Sequence, residues 1–366
     1  MTRFSRGLIA ATALVALAFA ADIRTARAAQ ELNANEKLYE ELFKLPAEER
    51  LKRMVEGANK EGSFDVVPNY RGKQMQDHVS IFKKRYSGIN VKISDLNSYE
   101  ALERVLAEEA VGKHLTDASK MNLPDYVAID GKNLPARYPT PATQRILPKY
   151  KAFLSPENLW VPQSTSEEGV SYHAGLVKAG EEPKSWMDLC HPRFKGQVAY
   201  DIGEPLFLAG MYNQFDRNMD KFKAFMECVG KNEPLVIRGN TVRINLMAAG
   251  DHAVQGGNSF YQVAQLSMGG GNKKAPLKIA YEIPTTVFSS VIWINRNAVH
   301  PYTAALYADW VVSEESQDCL AKELRGPITR SHPFLPDDAQ IVVLNPVDRN
   351  LSAELQSYWK QYIGKK

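Results

Sequence analysis

"PLVIRGNTVRINLMAAGDHAVQGGNSFYQ", Pro234 to Gln262, changes its hydrophobic period twice. "PLVIRG" is a short apolar, β-branched run and reads as a buried strand. A helix starts near Thr241, and "DHAVQGG" reads as the next strand. Strand, helix and strand at this spacing form one right-handed crossover of a parallel sheet. The stretch then runs into "GGNSFYQ", Gly256 to Gln262, a loop of two glycines, an amide, a hydroxyl and two aromatics directly after a buried strand.

The same grammar extends upstream. "PKSWMDLCHPRFKGQVAYDIGEP" gives a short helix opened by Ser185 with Asp188 three residues on, then a strand from Gln197 to Tyr200, then a polar loop. A helix around Asp220 to Val229 follows. Together these make an α/β lobe over 172–258. Nearer the start, "FDVVPNY" (Phe64 to Tyr70) reads as a strand, and Val79, Phe82 and Tyr86 recur at helical spacing. "INVKISDLNS" reads as a second strand. A helix follows, with Asn97 and Glu100 in capping-box positions and Leu102, Val105 and Leu106 inward. "DYVAID", ending at Asp130, reads as the third strand. After the loop, "KIAYEIPTTVFSSVIWINRNA" reads as strands, and Pro301 opens a helix with Tyr302, Leu306 and Trp310 on one stripe. The first lobe is expected over 63–171 plus 259–366. Residues 29–62 read as one or two amphipathic helices broken at Pro46, with Leu51, Val55 and Ala58 on one face.

The chain's 366 residues exceed the size at which single cores stop growing, which supports two lobes. Residues 1–28 carry Arg3 and Arg6, an apolar stretch from Gly7 to Ala21, and Ala26-Arg27-Ala28, the pattern of a cleavable secretory signal. The expected product is exported to the periplasm, with no membrane insertion after cleavage. The whole chain has 45 basic and 42 acidic residues, and the leader holds four arginines and one aspartate, so the remainder is formally neutral. A neutral surface without a basic run excludes nucleic acid as the main partner. Of the three cysteines, Cys190 and Cys228 are the expected disulfide, against three free thiols.

Open α/β sheets bind ligands at the carboxyl ends of their strands. The loops there give the candidate ligand residues: Asn69, Tyr70 and Arg71, then Ser98, then Asp130 in the first lobe; Tyr172 at the first crossing; and Asp201, Arg238, Asn240, Thr241, Asn258 and Tyr261 in the second. Arg238 ahead of a helix N-terminus, beside Asn240 and Thr241, has the form of an anion clamp. The plainer reading makes Asn240 or Thr241 a helix cap and pairs Arg238 with a surface acid. No loop joins a nucleophile to a base, the seven histidines show no metal-binding spacing, and no dinucleotide fingerprint occurs. Cys190-His191 is the one Cys-His neighbour pair, and a structural turn accounts for it. No enzyme activity, cofactor or resident metal is expected; a periplasmic hydrolase is the remote alternative.

Five stretches in order resemble one family: "FKKRYSGINVKI", "PKSWMDLCHPRFKGQVAYD", "RGNTVRINLMAAGDHAVQ", "HPYTAALYADWVVSEESQ" and "GPITRSHP". The chain resembles exported solute-binding proteins of bacterial ABC importers, of the two-lobed type II class whose relatives bind ferric ion, phosphonates, thiamine or polyamines. The resemblance implies a two-lobed periplasmic-binding-protein fold, each lobe a mostly parallel sheet flanked by helices, with a hinge between them. It also implies a monomeric receptor that delivers a small solute from the cleft to a membrane permease; delivery to a sensor is the variant. In ferric members, the loop after the last lobe-two strand carries two tyrosines, and the matching positions are Phe260 and Tyr261. Phe260 has no oxygen to give a hard cation. With Arg238, Arg71 and Lys132 able to bring positive charge to one cleft, a small organic anion is the expected ligand class and ferric ion the alternative, with Tyr261 as the metal contact in that case; Asp130, Asp201 and Glu204 leave a cationic or zwitterionic solute open.

Overall fold

Asn33 opens the first helix, α1 (Ala34–Lys44), with a capping box: its side chain accepts from the Glu36 N–H, and the Glu36 carboxylate accepts from the Asn33 N–H. Pro46 separates it from α2 (Ala47–Glu61), which ends on Gly62 at φ 65°. The inward face of α2 is Arg50, Met54, Gly57 and Ala58. Leu51, expected inward, is 41% exposed. The reason is polar: the buried Arg50 guanidinium reaches Asp309 at 3.0 Å and the Tyr138 hydroxyl at 2.7 Å, which turns the helix by one position.

The computed structural model describes residues 31–67, 72–94, 96, 98–129, 131–203, 205–269, 274–344, 346 and 348–364. The next elements are β1 (Ser63–Val67), α3 (Gly72–Arg85), β2 (Asn90–Ile93), α4 (Ser98–Ala110) and β3 (Ala118–Asn122). "DYVAID" is not the third strand: Leu123–Ala128 is a 3₁₀ turn with Pro124 in its first turn. Proline has no N–H for a sheet ladder but suits the start of a helical turn. The strand is the preceding "ASKMN", buried over its first four residues.

The chain continues through β4 (Val161–His173), β5 (Val198–Tyr200), α5 (Pro205–Gln214), α6 (Met219–Lys231), β6 (Leu235–Val236), α7 (Asn240–Ala249), β7 (Val254–Ser259) and α8 (Phe260–Met268). It closes with β8 (Leu277–Ile279), β9 (Thr285–Ile294), α9 (Pro301–Trp310), α10 (Glu314–Lys322), β10 (Gly326–Pro327), β11 (Ile341–Val343) and α11 (Arg349–Tyr362).

The strands share one sheet in the order β2-β1-β3-β9-β4-β7-β5-β6. Its two ends are parallel, β2-β1-β3 on one side and β7-β5-β6 on the other. Between them β9 and β4 run antiparallel to each other and to their outer neighbours β3 and β7. Crossover helices bury the parallel ends, and β1 and β5 there read as short apolar runs, whereas β3 is buried with small and polar residues.

Two large apolar clusters flank this middle. One collects Phe64, Val66, Phe82, Val105, Val161, Val291 and Trp310; the other collects Val170, Tyr200, Phe207, Phe222, Phe225 and Val254. Strand β4 feeds both, with Val161 at one end and Val170 at the other. The C-terminal helix α11, placed with the first lobe by the sequence reading, packs on the second cluster through Leu355 and Trp359, with Ile363 just past its end. Cys190 and Cys228 form a disulfide with Cα atoms 5.7 Å apart, tying α6 to the 3₁₀ turn Trp186–Cys190, and Cys319 is free. No helix among the described residues is long and apolar enough to cross a membrane.

Candidate functional site

The opening glycines are explained by packing. A Cβ on Gly256 would run into the Tyr200 ring, and one on Gly257, which sits at φ 68°, into the Phe207 ring. Phe260 is 1% exposed and packs with Phe334 and Leu335, so it is a core anchor. A Cβ on Gly169 of the neighbouring strand would come within 2.7 Å of its ring.

At the carboxyl ends of β5, β6 and β7 the expected second-lobe residues divide. Asp201 is buried and paired with Arg243, whose guanidinium also donates to the carbonyls of Ile237 at 3.1 Å and Gly257 at 3.2 Å. Asp201 is therefore a structural counter-ion and not a free carboxylate for a solute. Asn240 shares hydrogen bonds with Gln262 and with Gln255 at 3.4 Å, and Thr241 accepts from Gln262 at 2.9 Å. Arg238 is exposed and has no ion pair among the described residues, contrary to the surface-acid reading. Asn258 is 1% exposed and donates to the Ser171 hydroxyl at 2.8 Å, inside the fold. Tyr172 is part of the second core at the far end of β4. Asn69, Tyr70, Arg71 and Asp130 lie outside the described residues, as does the side chain of Ser98, which begins α4.

A different set converges on the crossing strands. A cavity of about 90 Å³ is lined by Gln74 and His78 of α3, Lys120 and Asn122 of β3, Ser164, Thr165 and Ser166 of β4, and Ser290 of β9. Cys319 and Leu320 of α10, with Glu323 and Arg325 beyond it, close the wall. Lys120 is 6% exposed. Burial pulls its ammonium well below the ordinary lysine range, and nearby Arg325 acts in the same direction. Burial likewise holds His78 at about 3, with Lys120 adding to the effect, so the imidazole is neutral. The Arg325 guanidinium donates from Nε at 3.3 Å and from Nη2 at 2.8 Å to the Gln74 amide oxygen. It also lies 3.7 Å above the centre of the Tyr261 ring. This contact is the main place where the structure brings an expected residue to the cavity.

Lys120 and Arg325 escaped the sequence reading. Lys120 sits mid-strand, where a lysine breaks the apolar pattern, and Arg325 follows a helix end without any motif. Leu324, just before it, has φ 54°, and Arg325 N–H donates to the Leu320 carbonyl at 2.8 Å, a helix-ending turn that aims the arginine back at the cavity.

A larger groove of about 1050 Å³ lies between α2, α9 and α10. Five carboxylates, Glu48, Asp309, Glu314, Glu315 and Asp318, outnumber its three arginines, and two of those are paired, Arg50 with Asp309 at 3.0 Å and Arg85 with Glu315 at 3.2 Å. The smaller cavity therefore has the stronger claim on an anionic solute. Among the described residues no three His, Cys, Asp or Glu side chains are grouped to hold a metal ion. Cys190 is in the disulfide, which removes the Cys-His pair as a nucleophile and base.

Residues 132–344 match the family model described as bacterial extracellular solute-binding protein. Comparison with curated proteins returned no match. Among solved structures, the substrate-binding protein of an ABC transporter from Agrobacterium tumefaciens is 14% identical, with a TM-score of 0.68 over 83% of this chain and 96% of that one. Iron-bound HitA from Pseudomonas aeruginosa is 16% identical, with a TM-score of 0.64 over 82% and 99%. The spermidine/putrescine ABC-transporter protein PotD from Streptococcus pneumoniae is 13% identical, with a TM-score of 0.66 over 82% and 98%. These likenesses give the type II periplasmic-binding fold, and the family match over more than half of the sequence gives its membership: the chain belongs to the bacterial extracellular solute-binding proteins.

Proposed function

We propose that the protein is an exported receptor that captures a small organic anion in the cavity between Lys120 and Arg325 and delivers it to an ABC-importer permease. The observation that carries this reading is the cavity's charge: two cations face it, six further lining residues carry hydroxyls or amides, and Glu323 is its one carboxylate. A wall with two cationic side chains and one carboxylate favours a negatively charged solute over a cation.

The two lobes divide at β4 and β9, with α11 carried on the second. The cavity is lined from the first lobe and the dividing strands, so closure would bring the second lobe over a solute already held there; contacts it adds favour the closed arrangement by their differential affinity, and the closed form is what a permease reads. The leader and the family's extracellular character support action in the periplasm. The ferric alternative loses ground at both aromatic positions. Phe260 is a core anchor, and a guanidinium covers the face of Tyr261, where added positive charge opposes a trivalent cation near its oxygen.

The test is a thermal-shift screen of protein unfolded and refolded to strip bound solute, against carboxylates, phosphonates, polyamines and ferric citrate. Native-state binding raises apparent stability by mass action. The anion reading expects stabilisation by an anion; stabilisation by polyamines or iron alone would refute it.

A further inference from the structure

We infer that Tyr261 serves the cavity through the face of its ring, as the platform that fixes Arg325, and that Arg325 so held is the residue selecting an oxyanion with two oxygens side by side. The inference rests on the small-anion reading and adds to it which edge of which residue does the choosing.

The geometry assigns each part of the guanidinium. Nε and Nη2 both donate to one acceptor, the Gln74 amide oxygen, at 3.3 and 2.8 Å, so the edge those nitrogens share is occupied. One planar face rests on Tyr261, 3.7 Å from the ring centre. What remains is the end-on edge: both hydrogens of Nη1 and the second hydrogen of Nη2, two of which point in parallel. That fork matches the two oxygens of a carboxylate or phosphate, and a guanidinium held from two sides loses little freedom on binding them. Arg325 has no ion pair among the described residues, and Glu323 is the one carboxylate in the cavity wall. Its placement is reinforced from the backbone: Gly326 and Pro327, immediately after it, pair with Thr165 and Ser164 of β4, whose side chains line the same cavity. Tyr261 is in turn fixed by its own cluster, where it packs beside Phe260, Phe334 and Leu324.

A ring used as a platform and a phenol used as a ligand respond oppositely to Tyr261→Phe. The phenylalanine keeps the face and removes the oxygen, whereas Tyr261→Leu removes both. The first arm needs no solute. In stripped protein, the Arg325 Nε–H proton, identified by its loss in Arg325→Lys, should resonate upfield from ring current and exchange slowly with solvent. It should persist in Tyr261→Phe and revert to free-arginine behaviour in Tyr261→Leu. An unchanged resonance in Tyr261→Leu overturns the platform role.

The second arm titrates inorganic phosphate and acetate. Tyr261→Phe should bind within about twofold of the natural protein. Tyr261→Leu should bind roughly 3- to 10-fold more weakly, the range of a partly desolvated cation–π contact. Arg325→Lys, which keeps the charge and loses the fork, should be weaker by about tenfold or more. Tyr261→Phe as weak as Tyr261→Leu would show that the hydroxyl is the contact and overturn the inference. Failure of the natural protein to take either anion overturns the oxyanion assignment and the small-anion reading together, and the proton resonance then decides the platform separately.

Discussion

Lys120 and Arg325 give the cavity its sign, and exposed Arg238 lies outside it. Hydrogen bonds to charged groups contribute roughly 1.5–3 kcal/mol when desolvated and far less in water. Arg325→Ala is therefore expected to weaken anion binding by about tenfold or more, and Arg238→Ala by less than about threefold, by calorimetric titration. The reverse ranking would return the site to the N-terminus of α7. Arg243 makes a different kind of prediction. Arg243→Ala leaves the buried Asp201 carboxylate unpaired, a loss of about 3–5 kcal/mol expected in urea unfolding. At this scale the sequence singled out Tyr261, which the structure places in the first turn of α8 against Arg325. It was illegible where a charge is buried mid-strand, as at Lys120, because nothing local distinguishes that lysine from a surface one. Asp201 misled for a related reason: its partner Arg243 is 42 residues away in sequence and is brought to it only by the crossover.

The elements carry stability in ways that sequence shows unevenly. Helix α11 inserts Trp359 between Tyr200 and Phe207, with ring centres 5.9 and 6.1 Å away, and its indole would also block any Cβ at Gly203. Trp359→Ala should cost about 3–5 kcal/mol, measured as a lowered urea midpoint, although the residue is far along the chain from the second lobe's other elements. The disulfide closes a separation of 38 residues, and its removal by Cys190→Ser with Cys228→Ser should cost about 2–4 kcal/mol. An unchanged midpoint would show that α6 is held by packing alone. The parallel crossover of β6, α7 and β7 was readable because apolar runs and a helical stretch alternate within Pro234 to Gln262. Strand β3 was missed because its burial comes from tertiary packing around small and polar residues, Ala118, Ser119 and Lys120. The docking side of α11 was equally hidden, since an amphipathic face does not name its partner.

At the scale of the whole molecule, buried neutral imidazoles set the response to acid. His78 is held at about 3 by burial and then by Lys120. His252 is held at about 4, chiefly by burial, with Asp251 opposing and Arg243 adding to the depression. Both lie below the ordinary value of about 6.5, so between that pH and the folded values the unfolded chain holds more protons. Stability therefore falls as pH drops through this window. A urea series from pH 7 to 4 should show it, with a shallower slope in His78→Gln. A flat profile would mean these rings protonate without cost to the fold. Fold class and family were legible in the strand–helix alternation and the ordered landmarks, while the cavity proposed for the solute is assembled only where β3, β4, β9 and the end of α10 meet. The most direct test of that chemistry is calorimetric titration of the most stabilising anion into stripped natural protein and into Lys120→Met, which keeps the side chain's length and removes its charge. Saturable binding weakened by about tenfold or more in the variant is the predicted result; equal affinity in the two proteins would contradict the assignment of the solute to this cavity.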